Sequence, residues 1–434
     1  MLALATDTWT YWRVMWGYVA KSEPYGGATV FVARGYAEEE ARRMGVHVFS
    51  LALALRLWDR PHYRKSSYAA DVRDNFRNVA VPGTGVPLSI LARHKVLTVA
   101  FLAVGYPFAC LCAAVAHVRR NAGVSLRAAY REQLLAPKDW FSLWRINSRL
   151  AAWHSLVTRR SNGDSESWHD YAMENKWTFL EKGLELGVPV SPVLSKPVRL
   201  CVKHKNEEGG LGIYFYENAL NGGDWIIQEV MDNAEAVATL LPADAPLSTF
   251  RVMTASKASL LQGNGPPLTE EEVFFPLSCV FRAGRAGAAT DHSSILFDVD
   301  VRTGTIGRGT TNAQWYRLYE TRVPWGPPPP IYDHPDTGAR VSGHTIPDFH
   351  AKVLQVAVDA HKALLPNVPL AGWDVVLAKQ HGPCLLEANL SCNFFRGSFD
   401  EALYYGLIHD FFAFCQRRED LQLRSRRATT TKLA

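Results

Sequence analysis

The stretch Gly372–Asn393 reads GWDVVLAKQHGPCLLEANLSCN, and the fold turns on how it is read. Two apolar runs, Trp373–Ala378 and Cys384–Ala388, flank a polar turn of Gln380, His381, Gly382 and Pro383. That pattern predicts a β-hairpin, because Gly-Pro bars continuation of either strand. With the turn centred between Gln380 and His381, Asp374 lies opposite Glu387, and Val376 and Leu385 make up the rest of their face. Two carboxylates facing each other across a ladder repel, and an apolar face offers little water to screen them. A divalent cation between them would remove the repulsion. Asn389 projects from the same face and adds a neutral oxygen, so Asp374, Glu387 and Asn389 form the kind of hard-oxygen set that Mg²⁺ takes when it also holds phosphates. The alternative, a solvated acidic pair on an edge hairpin, is disfavoured by the apolar flanks.

Upstream of the hairpin the texture from Trp168 onward is mixed helix and strand. A helical segment ends at Gly187, and Val198–Val202 reads as a strand ending at Lys203. A polar turn containing Gly209, Gly210 and Gly212 leads to a second strand. Glycines let backbone fold closely over phosphate oxygens and a lysine supplies charge, although an ordinary hairpin would carry the same residues. The pattern is not a P-loop, which needs Gly-Lys-Ser/Thr at a helix start. Trp225–Met231 (WIIQEVM) reads as a buried strand whose Gln228, Glu229 and Val230 suit an adenine pocket; a core glutamate with its polar needs met is the alternative. On Pro246–Ala255, Thr249 and Arg251 share a face, and an arginine there can hold a phosphate or carboxylate bidentately. Strands follow at Phe274–Arg282 and Ser294–Val301. Arg282, Arg285, Asp291 and His292 fall in or beside a glycine-rich loop. Ile346–Leu364 has helical spacing, and Asp400–Phe414 reads as a closing helix before a basic tail, expected to be disordered from residue 416 to 434.

Taken in order, these segments resemble the ATP-grasp fold. VKHKNEEGGLGI is similar to its lysine strand and glycine loop, and IIQEVM to its adenine strand. STFRVMT, FDVDVRTGTIG, HPDTGARVSGHTIPDF and the hairpin look most like the sugar-transfer-associated or glutamate-ligase-related branch. The chain departs from the usual pattern at His204, where proline commonly follows the lysine, and at Glu207-Glu208. The resemblance covers about 167–415 and implies an α+β architecture in which two α+β subdomains grip ATP. It also implies roles. Lys203 contacts phosphates under the Gly209–Gly212 loop. Gln228, Glu229 and Val230 hold adenine, and Asp232 reaches the ribose. Asp374, Glu387 and Asn389 hold Mg²⁺, and Arg251 and Arg282 steady the transferring phosphoryl group. The implied activity is a carboxylate–amine or carboxylate–thiol ligase acting through an acyl phosphate. The alternatives are an ATP-dependent phosphotransferase and a non-catalytic, membrane-bound nucleotide-binding scaffold. The partners expected are a small carboxylate and a small amine.

Residues 1–160 lie outside that resemblance and are expected to be mainly helical. Val96–Val118 carries no formal charge apart from His117 and is long enough to cross a bilayer. Arg93 and Lys95 precede it; Arg119, Arg120, Arg127 and Arg131 follow. This bias places later residues on the cytosolic side of a membrane. Gly105-Tyr106-Pro107 suggests a kinked or re-entrant hairpin; a core helix of a cytoplasmic protein is the other reading. In the following segment, the aromatic stripe of Trp140, Trp144 and Trp153 is expected to pack on the domain. A net charge of +5 on 434 residues does not imply nucleic acid. The seven scattered cysteines, without a CxxC pair, fit a reducing compartment, and no signal peptide is expected.

Overall fold

The computed structural model describes residues 2–20, 24–76, 88–90, 92–138, 140–162, 165–167, 169–194, 199–203, 213–261, 268–311, 329–391 and 397–433. Strands β1 (Arg199–Lys203) and β2 (Ile213–Glu217) pair as an exposed two-stranded ribbon. The remaining six strands are β3 (Thr249–Ser256), β4 (Phe274–Ala283), β5 (Ile295–Val299), β6 (Ile306–Thr311), β7 (Leu370–Ala378) and β8 (Gly382–Asn389). They form one antiparallel sheet in the order β8-β7-β3-β4-β5-β6. Strand β6 lies beyond the Arg302-Thr303-Gly304 turn, where sequence reading ended the run of strands.

Alternation along each strand decides what the two faces do. Phe250, Val252, Phe281, Phe297, Trp373 and Val375 point into one apolar core. There they meet Ala357, Ala360 and Leu364 of a helix at Gln355–Leu364 and Phe179 and Leu180 of a helix at Lys176–Glu185. On the opposite face Met253, Ala255, Leu277 and Leu370 join a second core built from the N-terminal helices. Between those apolar ends the second face is polar, carrying Arg251, Asp374 and Glu387.

The N-terminal region is mainly helical, as expected. Its helices include α1 (Leu2–Val19), α2 (Glu38–Leu57), α3 (Lys95–Arg120), α4 (Leu126–Leu135) and α5 (Trp140–Thr158). In chain order the helices at Lys176–Glu185 and Gln355–Leu364 are α6 and α7, and the chain closes with α8 (Glu401–Leu433). Trp153 of α5 is buried in the second core, as the stripe suggested. The closing helix runs on past Phe414 to Leu433 rather than giving way to a loose tail at 416. No glycine or proline interrupts it after Gly406, and Glu419 is held by Arg56 at 2.9 Å and Arg60 at 3.4 Å.

Helix α3 does not reverse at Gly105-Tyr106-Pro107. It widens into a π turn at Phe101–Gly105 and continues. Pro107 has no N–H for the carbonyl four residues back. That carbonyl, Ala103 O, accepts from Trp12 Nε1 at 2.7 Å, and Leu102 O accepts from Tyr11 Oη at 2.8 Å. Two side chains of α1 thus take up the carbonyls freed by the π turn, and α3 stays helical.

Candidate active site

Hairpin β7–β8 places Asp374 opposite Glu387, but by another route than a symmetrical turn. From Gly382 to Leu385 the register runs one residue short of that expectation, and a bulge at Leu386 restores it. The extra residue flips what precedes it: Leu385 pairs with Val375 and faces the apolar core, not Val376 as expected. Without the bulge, Leu386 would face Asp374 and Glu387 would point into the core.

Cross-strand partners share a face. The register runs Glu387 to Asp374 to Arg251, then Val280 and Asp298. Arg251 Nε donates to Asp374 Oδ1, its Nη2 donates to Oδ2 at 3.0 Å, and Arg282 Nη1 approaches Oδ2 at 3.5 Å. Arg282 also pairs with Asp291 at 3.2 Å, and Asp291 accepts from Thr249 Oγ1 at 2.6 Å. Burial alone would raise the Asp374 carboxyl, but the two guanidiniums outweigh it and hold the group below the usual carboxylate range. The repulsion read from the sequence is therefore already offset by cationic side chains.

Glu387 has its own cation. Lys176, the first residue of α6, places Nζ 2.9 Å from Glu387 Oε2. Asn175 caps that helix by accepting from the N–H groups of Trp177 and Thr178 at 3.0 and 3.1 Å, so the positive end of the helix dipole lies in the same segment. Asn389 Nδ2 donates to Glu387 Oε1 at 3.2 Å. Just beyond, the N–H of Leu390 donates to Glu174 Oε2 at 2.9 Å, and Glu174 Oε1 pairs with Arg64 at 2.9 Å. Burial pushes the Glu174 carboxyl up, against the pull of Arg64. Sequence reading missed Lys176, Glu174 and Arg64. The first two sit in the MENKW segment, whose Asn175 cap is a helix-start signal; nothing local marks Arg64.

These residues bear on a bound cation. Among the described residues no three His, Cys, Asp or Glu side chains gather to hold a metal. A carboxylate has about four acceptor positions, and Asp374 already spends three on guanidinium N–H groups. Glu387 and the carbonyl oxygen of Asn389 fit a hard cation better, and the Lys176 ammonium already occupies a cation's place beside Glu387.

The expected nucleotide residues are arranged less compactly. Lys203 ends β1 on the exposed ribbon, and among the described residues no hydrogen bond or ion pair joins it to the sheet. Gly209, Gly210 and Gly212 lie outside the described residues, as do His204, Glu207 and Glu208. Trp225–Met231 is not a buried strand. It is held by two single bridges, Asn218 to Trp225 and Val193 to Gln228, with Asn233 bridging Ala378 just beyond it. Gln228 Nε2 donates to Ser191 Oγ at 2.6 Å, and Val230 is 88 % exposed. The segment lies along the tip of the hairpin. His381 Nε2 meets Glu229 Oε2 at 3.1 Å, Gln380 Nε2 donates to Asp232 Oδ2 at 2.8 Å, and Lys379 N donates to Asp232 O at 2.9 Å. β8, the edge strand, already receives Pro189–Ser191 along Leu385, and 225–231 meets only the next residues of that stretch, through the Val193–Gln228 bridge and the Leu194 N–H donating to Ile227 O at 2.9 Å. Of the expected set, the structure brings together Arg251, Arg282, Asp374, Glu387 and Asn389, and separately gathers Glu229 and Asp232 at the hairpin tip.

Residues 221–395 match a family model described as sugar-transfer associated ATP-grasp. This stretch is an ATP-grasp domain. Comparison with curated proteins and with solved structures gave no match. The ATP-grasp match covers all six strands of the sheet and the segment at the hairpin tip, and begins after the ribbon and α6. It carries ATP-dependent, ligase-type chemistry as the general class of activity.

Proposed function

We propose that the protein is an ATP- and Mg²⁺-dependent ligase that activates a small carboxylate as an acyl phosphate and passes the acyl group to an amine or thiol. The observation that carries this reading is the row Glu387–Asp374–Arg251 with Arg282 beside it, a charged strip on a sheet face otherwise given to packing. When bound, ATP supplies the phosphoryl group and Mg²⁺ the charge that neutralises its oxygens, with Glu387 and Asn389 the residues suited to the ion. Asp374 fixes the plane of Arg251, and Asp291 helps to fix Arg282. Both guanidiniums therefore stand preorganised where negative charge would develop, which is where fixed positive charge lowers a barrier. In the balanced reaction a carboxylate oxygen bonds to the γ-phosphorus as the bond to ADP breaks. The amine nitrogen or thiol sulfur then bonds to the acyl carbon as phosphate leaves, and the nucleophile's proton passes to solvent. No side-chain nucleophile is required; the protein contributes positioning and charge. Glu229 and Asp232 at the hairpin tip are assigned to adenosine and Lys203 to the phosphates.

The test is ADP release from the purified full chain with pools of carboxylates and amines, with hydroxylamine added as a trap. Formation of a hydroxamate together with ADP supports the acyl phosphate. ADP released with a phosphorylated hydroxyl compound and no hydroxamate would replace this reading by a phosphotransferase, and no ATP turnover with any pool would remove the enzymatic reading.

A further inference from the structure

Among the described residues, helix α3 is the one helix long and apolar enough to cross a bilayer, yet only 22 % of its apolar stretch is buried, so it is not a core helix. Leu102, Cys110 and Ala114 turn inward and are buried. Val96, Val104 and Phe108 turn outward at 76 %, 68 % and 66 % exposure; Val104 and Phe108 have the four-residue spacing that stacks side chains on one helical face. The neighbouring α1 adds Trp9, 63 % exposed. It lies one turn from Trp12, whose indole is bonded to the α3 backbone. Charge around the patch is mostly positive, the exposed exception being Asp59, paired with Lys95 at 3.0 Å at the start of α3. Between Asp74 and Glu132 the sequence holds no Asp or Glu, and exposed Arg93, Arg119 and Arg120 bracket the patch with Arg13 beside Trp9.

We propose that this face docks the protein on an anionic lipid surface, with α3 lying in the plane of the membrane rather than crossing it. Three observations select that occupant. A helix with an apolar outer face, cationic ends and an interfacial tryptophan beside it matches the chemistry of the headgroup–acyl boundary. A second copy of the chain would set one arginine rim against another. Crossing is opposed by the inner face: Tyr11 and Trp12 hold the carbonyls of the π turn. Tyr106 Oη bonds to Gln133 O at 3.1 Å and Cys110 Sγ to Gln133 O at 3.4 Å. A span would break all of these while leaving the partners' polar groups unmatched. Because ATP is cytosolic, the surface meant is the cytosolic leaflet, whose anionic lipids attract basic residues.

The experiment is flotation of the full-length protein with vesicles of phosphatidylcholine alone and of phosphatidylcholine with phosphatidylserine. Flotation with the anionic vesicles, weakened by salt and released by alkaline carbonate, is the expected result. Val104→Glu combined with Phe108→Glu should cut the bound fraction about tenfold or more while leaving the melting temperature unchanged, since both side chains already face water. Arg119→Gln with Arg120→Gln should reduce the preference for anionic over neutral vesicles. The proposal is overturned if the parent protein stays with neither vesicle, or if the double glutamate variant floats as the parent does. Resistance to carbonate would show a crossing helix instead. A dimer by light scattering that the double glutamate variant dissociates, with no flotation, would assign the face to a second copy.

Discussion

At the scale of single residues, the two carboxylates of the hairpin are not equivalent, although the sequence presents them as a pair. Asp374 is buried and locked between Arg251 and Arg282; Glu387 is more exposed and answers to Lys176 and Asn389. Asp374→Asn removes the carboxylate that Arg251 and Arg282 share, leaving Arg282 with Asp291, and breaking a buried ion pair from one side costs about 3–5 kcal/mol. That variant is expected to melt well below the parent. Glu387→Gln relieves a like-charge contact as it loses a partly exposed ion pair, so its stability should stay within about 1 kcal/mol, while ADP formation falls by two or more orders of magnitude if the residue holds the metal. Thermal melts and ADP release on the two variants check this. Equal destabilisation, or full turnover by Glu387→Gln, would show that the division of roles is wrong.

At the scale of elements, the site depends on how α6 sits against β8. Gly183 of α6 has no room for a side chain: a Cβ there would lie 2.4 Å from Val190 Cγ1, and Val190 bridges Leu385 of β8. Alanine normally favours a helix over glycine by about 1 kcal/mol. Here the overpacking, at about 1–3 kcal/mol, outweighs it. Gly183→Ala should therefore lower stability and, by shifting Lys176 and Asn175, lower kcat, measured by denaturant unfolding and steady-state ADP release. The sequence was legible where alternation and turn chemistry act locally. The hairpin, Asp374 opposite Glu387, Thr249 near Arg251 and the lysine strand were readable from it. The bulge at Leu386 was not, because a run of Cys384, Leu385 and Leu386 has no period that marks the extra residue. Lys176, Glu174 and Arg64 were hidden for another reason: they act through contacts set by packing between distant segments. Segment 225–231 read as a strand by composition, but Pro189–Ser191 covers β8 and 225–231 meets only Val193 and Leu194 beyond it.

At the scale of the whole molecule, two predictions follow from burial. His154 and His361 are enclosed, and burial lowers them from the ordinary 6.5 to about 3 and about 4. The unfolded chain takes up these protons near pH 6.5 and the folded one only near 4 or below. Their contribution is therefore complete above pH 6.5 and lost as pH falls toward 4, at up to about 1.4 kcal/mol per pH unit for each histidine. His62, likewise lowered by burial to about 3, acts in the same sense. Stability measured by urea unfolding at pH 7, 6 and 5 should fall accordingly, and His154→Phe, whose ring would keep the stack on Phe414, should remove about a third of the histidine part of that slope. The second prediction concerns a piece of the chain that begins at Ser161. Met253, Ala255 and Leu277 of the sheet, together with Tyr404, Phe411 and Phe412 of α8, are buried in the same core as residues from α1, α2 and α5. Removing residues 1–160 would bare all of them, so the remainder should aggregate. A soluble 161–434 fragment with a cooperative melt would contradict this.

The shared core also bears on how the chain is made. Arg56 meets Glu419 across 363 residues of sequence, and Phe49 and Trp153 rest against Phe412 with ring centroids 5.1 and 6.0 Å away. On a ribosome adding about 5–20 residues per second, the early helices wait on the order of 20–70 s for the partner that closes them. During that interval the apolar surfaces of α2 and α5 stand open beside α3. The newborn chain therefore needs shelter, from a chaperone or from the lipid surface itself, before its last helix emerges.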